Sequence, residues 1–242
     1  MNAISMNQVS LTLDGFQMHP ITLEIPRGHL TALIGRNGAG KTTLFKLLHG
    51  VYPRFEGTLK LLSKTYKEDE KAIRDQLGVM YDSLYLNIKL KPLKLLSLTK
   101  SMTPSFDDAL FEEMVHTLDI DLHKPLKAQS LGMKRKFDFA LTLASGKDIL
   151  LLDEPFNGID PIYKKRIIAY IQTYLENESH TVIVSSHQVS DLEKIADYIM
   201  ILDHGKIIAF DDKETLMESM QKDQANPALS LEDMFITMVG DS

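Results

Sequence analysis

A glycine-rich loop set between an apolar run and a helical pattern constrains this chain more than any other feature. Leu30 to Ile34 reads as a short buried strand and ends in Gly35-Arg36-Asn37-Gly38-Ala39-Gly40-Lys41-Thr42. Thr43 to Leu48 follows with Leu44, Leu47 and Leu48 at helical spacing. Strand, loop and helix in this order are the context in which G-x-x-x-x-G-K-[ST] binds phosphate. Glycines let backbone N–H groups converge on phosphate oxygens without side-chain collision. The helix that follows directs its free N–H groups and positive dipole end at the same anion. Lys41 adds a full charge toward the β- and γ-phosphates, Thr42 offers a hydroxyl to Mg²⁺, and Thr43 is placed to reach the α-phosphate. With strand and helix both in place, the loop reads as a nucleotide site rather than a turn that binds nothing.

A second signal lies at Ile149-Leu150-Leu151-Leu152-Asp153-Glu154, an apolar run ending in two carboxylates. A fully buried strand reads this way, and its C-terminal end is where α/β sheets present ligands. Asp153 is expected to hold Mg²⁺, which takes oxygen ligands and few carboxylates. Glu154 is expected to orient or deprotonate an attacking water, a role worth about 10²–10⁴-fold in rate. By itself, a strand ending in Asp-Glu is equally well a solvated strand end; beside the glycine-rich loop it becomes part of a site. His187 follows the apolar Val182 to Val184 through Ser185-Ser186, and a strand next to the other two would bring it near the γ-phosphate as a hydrogen-bonding group.

The rest of the chain supports an α/β reading. Apolar residues roughly alternate from Ile4 to Leu13 and from Ile21 to Ile25, and Pro26-Arg27-Gly28 punctuates the second run as a turn. Gly57 to Leu62 reads as an edge strand, Lys67 to Gln76 as a charged exposed helix and Val79 to Tyr81 as a brief strand. From Leu84 to about Gln129 the pattern turns helical, at Leu93 to Thr99 and Phe106 to Leu118. Helix Met133 to Ala144, strand Ile149 to Leu152, helix Ile162 to Leu175 and strand Thr181 to Val184 follow. Repeated strand and helix units point to a mainly parallel sheet covered on both faces. From Asp212 the chain reads as mostly helical, with a Leu231-Met234-Phe235-Met238 stripe suited to core or dimer packing.

Composition excludes several classes. A formal net charge of −6 argues against a mainly electrostatic nucleic-acid binder. With no cysteine there is no disulfide, thiolate metal site or cysteine nucleophile. The N-terminus has no signal-peptide apolar region, and no run of about 18 apolar residues suggests a membrane span. Work at a membrane would need another chain to cross it.

Ser130-Leu131-Gly132-Met133-Lys134, followed by a basic helix and placed upstream of the Asp153 strand, resembles the signature motif of the ABC ATPase family. Asn157-Gly158-Ile159-Asp160 resembles the family's D-loop and His187 its switch histidine. On its own, Ser130 with a nearby glycine also reads as an ordinary helix N-cap. The resemblance covers essentially the whole chain. It implies a P-loop NTPase of the ABC type, with a mainly parallel sheet core, an N-terminal antiparallel β subdomain and an inserted α-helical subdomain at roughly 84–130. All of residues 1–242 would then form a single ABC ATPase domain.

In that family two such domains sandwich ATP, so Ser130 and Gly132 of one subunit would touch the γ-phosphate held by the other's Gly35–Thr42 loop. The sequence departs from the family pattern in two places. Asp82 stands where a glutamine usually senses Mg²⁺ and meets the membrane partner, and it remains able to accept from a metal-bound water. Leu13 stands where an adenine-stacking tyrosine is usual, with Phe16 close by; Phe16 either stacks on the base or belongs to the core.

The signature variant looks like those of bacterial exporters for drugs, peptides or lipid-linked molecules. The resemblance therefore implies an ATP-hydrolysing subunit with ATP and Mg²⁺ as cofactors, in which Lys41, Glu154 and His187 form the catalytic set. It implies an integral membrane permease that docks a coupling helix near Asp82 to Asn87, and a second ATPase subunit in a homodimer or heterodimer. The implied place is cytoplasmic, peripheral on the inner face of the cell membrane, with no nucleic acid bound. A soluble ABC ATPase acting in assembly or repair is the alternative.

Overall fold

The computed structural model describes residues 1–83, 86–223 and 230–240. Leu84 and Tyr85, at the head of the expected helical stretch and inside the Asp82–Asn87 groove, lie outside the described residues.

Two sheets organise the chain. In the first, β2 (Phe16–Pro26), β1 (Asn2–Leu13) and β4 (Glu56–Leu61) run antiparallel in the order β2-β1-β4. The apolar pattern of β1 skips from Met6 to Val9, and the strand pairing shifts register at that point. Gln8 there adopts φ 53. The bulge absorbs the extra residue, so Met6 and Val9 both stay buried.

The second sheet has the order β5-β6-β7-β3-β8-β9. Here β5 is Leu77–Met80, β6 Ile149–Asp153, β7 Thr181–Ser186 and β3 Leu30–Ile34, with β8 Tyr198–Asp203 and β9 Lys206–Asp212. Five of these strands are parallel, and β9 pairs antiparallel with β8. Every residue of β3, β6 and β7 is buried, which suits their largely apolar sequences.

Side chains alternate between the faces of the sheet. Leu150, Leu152, Val182, Val184, Ile199 and Ile201 face the larger helical layer. Ile149, Leu151, Ile183, Met200 and Leu202 face α1 (Lys41–Leu48) and the antiparallel sheet. This two-sided burial is what forces the strands into the middle of the molecule.

Between β5 and β6 lie α3 (Pro92–Met102), α4 (Asp108–Thr117), the short turn Leu126–Ala128 and α5 (Leu131–Ala144). Phe111 of α4 meets Phe137 of α5 edge to face at 6.3 Å. Phe111 and Phe137 are both buried, each worth about 1.5–3 kcal/mol of burial. The earlier α2 (Tyr66–Gln76) starts in a capping box, Thr65 and Glu68 bonding reciprocally. Later come α6 (Pro161–Leu175), capped by Asp160 with Pro161 in its first turn, and the short α7 (Val189–Leu192).

Some expectations shift. The Val79–Tyr81 strand is β5 at Leu77–Met80, and the Lys67 helix begins one residue earlier. The sequence reading places no strand between Val184 and Asp212, yet β8 and β9 stand there as a hairpin. Its two-residue turn, His204-Gly205, has positive φ at both positions, 43 and 73, as the twist of such hairpins requires. At the C-terminal end, α8 (Lys213–Asp223) and α9 (Leu231–Gly240) are helical as expected. Leu231 and Met234 are fully buried in the helical-side core, so that stripe packs within the chain.

Candidate functional site

The strand order converts three distant segments into one edge. β7 lies between β6 and β3, with Asp153 beside Ser185 and Ile34 beside Ser186. All three strands run the same way, so the loop after β3, the carboxylates ending β6 and His187 after β7 emerge together.

The loop after β3 leads into α1, whose N-cap is Gly40 at φ 111. No side chain caps this helix and its first turn holds no acidic residue, so its positive end is left to an anion. A Cβ on Gly40 would sit 2.5 Å from Cζ of Phe16, so both the backbone conformation and the close ring demand glycine. A cavity of about 310 Å³ opens over this turn. Phe16, Asn37, Gly38, Gly40, Lys41, Thr42, Thr43, Asp82, Asp153 and Glu154 all border it, together with Arg36. Gly35 and Ala39 are buried behind the loop instead. Phe16 is half-buried: it packs against the core and lines the cavity as well.

The polar groups are closely tied. Lys41 is buried; its Nζ donates to the carbonyl of Gly35 at 2.7 Å and lies 3.5 Å from Oε1 of Glu154. Thr42 Oγ1 donates to Asp153 Oδ2 at 2.6 Å. Ser185 Oγ donates to the other carboxylate oxygen, Asp153 Oδ1, at 2.5 Å, and accepts from the Glu154 N–H at 3.0 Å. Glu154 adopts φ 50, uncommon for a residue with a side chain. Its Oε2 lies 2.8 Å from His187 Nδ1. Lys41 and His187 therefore meet the two oxygens of one carboxylate.

Asp82 borders the cavity from the far side. Its Oδ1 accepts from Nη2 of Arg135 and, at 3.4 Å, from Nδ2 of Asn157. The sequence reading singles out neither Ser185 nor Arg135. The signal for Ser185 was its place beside the acidic strand end; Arg135 stands in the basic helix, with nothing local to mark what it touches.

Ser130 and Gly132 do not border the loop cavity. Ser130 is exposed and caps α5 by accepting from the Met133 N–H at 3.2 Å. A Cβ on Gly132 would lie 2.5 Å from the carbonyl of Gly158, so this glycine lets the first turn of α5 approach the Asn157–Asp160 loop. Both line a smaller cavity of about 190 Å³ with Gly158, Ile159, Asp160 and Tyr163.

The oxygen donors fit a magnesium ion. Thr42 and Asp153 meet as hard ligands, with Asp82 lining the same cavity. Among the described residues no group of three or more His, Cys, Asp or Glu could hold a metal.

The family model described as ABC transporter matches residues 18–157. The chain is 32% identical over 209 residues to a lantibiotic transport ATP-binding protein of Streptococcus pyogenes, covering 83% of this chain and 88% of that protein. It is 28% identical over 193 residues to the bacitracin transport ATP-binding protein of Enterococcus faecalis, covering 79% of this chain but only 63% of that relative's length. A solved structure of the ATP-binding subunit of an ABC transporter superposes with a TM-score of 0.85 at 20% identity, over 98% of this chain and 99% of that one. The chain belongs to the ABC transporter family, as an ATP-binding domain.

Proposed function

We propose that this chain hydrolyses ATP to power export through a separate membrane-spanning partner. The observation that carries the reading is the Glu154 carboxylate, held between Lys41 at 3.5 Å and His187 at 2.8 Å on the rim of the glycine-loop cavity. Glu154 is the group to orient the attacking water, and His187 fixes its direction. Lys41 and the N–H groups of the loop supply charge and donors to the phosphates, in a site where catalysis is mainly positioning and electrostatics. When bound at Thr42 and Asp153, with Asp82 nearby, Mg²⁺ neutralises phosphate charge. Phe16 offers its ring face to the adenine.

Ser130 and Gly132 line their own cavity, away from the chain's loop. That separation supports a pairing of two ATPase subunits, like or unlike, in which each supplies its Ser130 turn to the other's nucleotide. ATP closes the pair and hydrolysis reopens it. We read the chain as one ATPase domain with the helices of roughly 84–130 inserted in it. No helix among the described residues is long and apolar enough to cross a membrane. The domain would work in the cytoplasm, peripheral on the inner face of the cell membrane. The names of the bacitracin and lantibiotic transport relatives favour transport over a soluble assembly or repair role, and a drug, peptide or lipid-like cargo.

Glu154→Gln tests the catalytic part. The variant is expected to bind ATP, lose turnover and accumulate a closed ATP-bound dimer; normal turnover would remove Glu154 from its role. Co-purification from native membranes tests the rest. Recovery of an integral membrane protein that cross-links near Asp82 is expected, and recovery of soluble partners alone would overturn the transporter reading.

A further inference from the structure

Arg135 is the one buried arginine that reaches from α5 to both walls of the nucleotide cavity. Only 2% of it is exposed. Its Nη1 donates to the backbone carbonyl of Glu154 at 3.0 Å, and its Nη2 to the backbone carbonyl of Asp82 at 2.9 Å and to Asp82 Oδ1. The Nε atom is buried without a hydrogen-bond partner, so the guanidinium is held through its two terminal nitrogens.

The residue it grips is the one with the least ordinary backbone in the site. Glu154 stands at φ 50, a conformation that persists when surrounding bonds over-determine it. Its N–H donates to Ser185, and its carbonyl accepts from the Asn157 N–H at 3.2 Å as well as from Arg135. The direction of the Glu154 side chain follows from this peptide, and one end of the peptide is tied through Arg135 to the Asp82 segment. Ser130 caps the N-terminus of α5, so a single helix joins the Ser130 turn to that tie.

We propose that Arg135 is a positioning residue whose forked guanidinium couples the Asp82 segment and the Ser130-capped helix to the orientation of the Glu154 carboxylate. The inference rests on the reading of Glu154 as the water-orienting group. A shift of the Asp82 segment when a partner docks beside it, or of α5 when the Ser130 turn is engaged, reaches Glu154 through this one side chain. A planar fork with donors on two nitrogens is required, because it must hold two separate carbonyls at once; a lysine offers one point charge.

The test is steady-state ATP hydrolysis by the full chain, alongside equilibrium binding of a non-hydrolysable ATP analogue. Arg135→Gln is expected to lower kcat about ten- to a hundred-fold while analogue affinity stays within about three-fold, since small misplacements of a reacting group cost that much. Arg135→Lys keeps the charge and is expected to remain low. Asp82→Ala removes one of the tie's anchors from a half-exposed position. Combined with Arg135→Gln it should cost less than the sum of the two single effects, the mark of a shared interaction.

Parallel loss of kcat and analogue affinity, or full rescue by lysine, would show a merely structural or electrostatic arginine and overturn the proposal. So would normal kcat in Arg135→Gln. Should Arg135→Gln fail to fold, Asp82→Ala and Arg135→Lys carry the same readout, and unchanged kcat in both overturns it. A wild-type chain that neither binds the analogue nor hydrolyses ATP would instead sink the underlying reading of the site.

Discussion

The Nδ1 atom of His187 lies 2.8 Å from Oε2 of Glu154, a contact that joins the ends of the adjacent strands β7 and β6. Glu154 lies almost out of solvent, whereas the imidazole is 39% exposed at the site's rim. The contact leaves the other carboxylate oxygen to Lys41. Removing the imidazole frees the carboxylate to rotate without touching the phosphate-binding loop. His187→Ala is therefore expected to lower ATP turnover about ten- to a hundred-fold with little change in ATP affinity. Phosphate release and equilibrium nucleotide binding, measured side by side, separate these effects. Equal losses in both would place His187 in nucleotide binding rather than in orienting Glu154.

Ser185 makes a comparable link two residues before His187. Its hydroxyl donates to Asp153 Oδ1 and accepts from the Glu154 N–H, so it holds both acidic residues in register. Ser185→Ala leaves the buried Asp153 Oδ1 without its partner, at about 1–3 kcal/mol, while the Glu154 N–H keeps the Ser185 backbone carbonyl at 3.2 Å. Asp153 then loses its fixed aim, and the Mg²⁺ concentration giving half-maximal ATP hydrolysis is expected to rise several-fold. A Mg²⁺ titration of the purified variant checks this, and an unmoved midpoint would limit Ser185 to a packing role.

How far the site can be read from the sequence depends on the range of the interactions. The loop Gly35–Thr42 with its flanking strand and helix is a local pattern, and its chemistry follows from consecutive residues. The Asp153-Glu154 end of β6 is legible for the same reason. Arg135 is not, because its partners Asp82 and Glu154 are brought to it only by tertiary packing. The hairpin of β8 and β9 escapes the reading although Tyr198 to Leu202 is apolar and His204-Gly205 suits a tight turn. A short apolar run has no period to mark it as strand or helix, and its pairing with β3 is made far along the chain. Phe16 illustrates the remaining limit: the sequence leaves adenine stacking and core as alternatives, and the ring packs on the core while lining the cavity.

Phe16 and Gly40 are coupled by their close approach. A methyl group at Gly40 would meet the Phe16 ring at 2.5 Å and would also have to adopt φ 111. Gly40→Ala is expected to abolish measurable ATP binding, and adding Phe16→Ala is expected to relieve the contact but not the backbone strain. Phe16→Ala alone removes a π-face worth about 1–3 kcal/mol for each stacked base. ATP affinity should fall about ten-fold or more, while affinity for inorganic triphosphate stays as it was. Equal weakening for both ligands would show that the ring shapes the loop without meeting the base.

Asp138 gives the fold a pH dependence of its own. It lies on α5 one turn beyond Arg135, and burial pushes its carboxyl up to about 7, with the Arg135 charge acting in the opposite direction. In the unfolded chain it titrates near 4. The folded state thus holds this proton more tightly, so the group's contribution to stability is full below about pH 4 and is lost as pH rises through about 7. Asp69, chiefly by its bond with the Lys64 ammonium, and Glu68, Asp121, Asp212 and Asp233, by hydrogen bonds at caps and turns, are held below their ordinary values, so their contribution is lost in more acid solution instead. His49, which burial lowers, favours folding as pH rises toward neutrality and opposes Asp138 within the same window. Comparison with Asp138→Asn removes these shared terms. The variant is expected to be more stable than the parent by about 1–4 kcal/mol near pH 8, the gap closing toward pH 5. Urea unfolding across that range measures it, and a gap that does not change with pH would mean that Asp138 keeps its charge throughout.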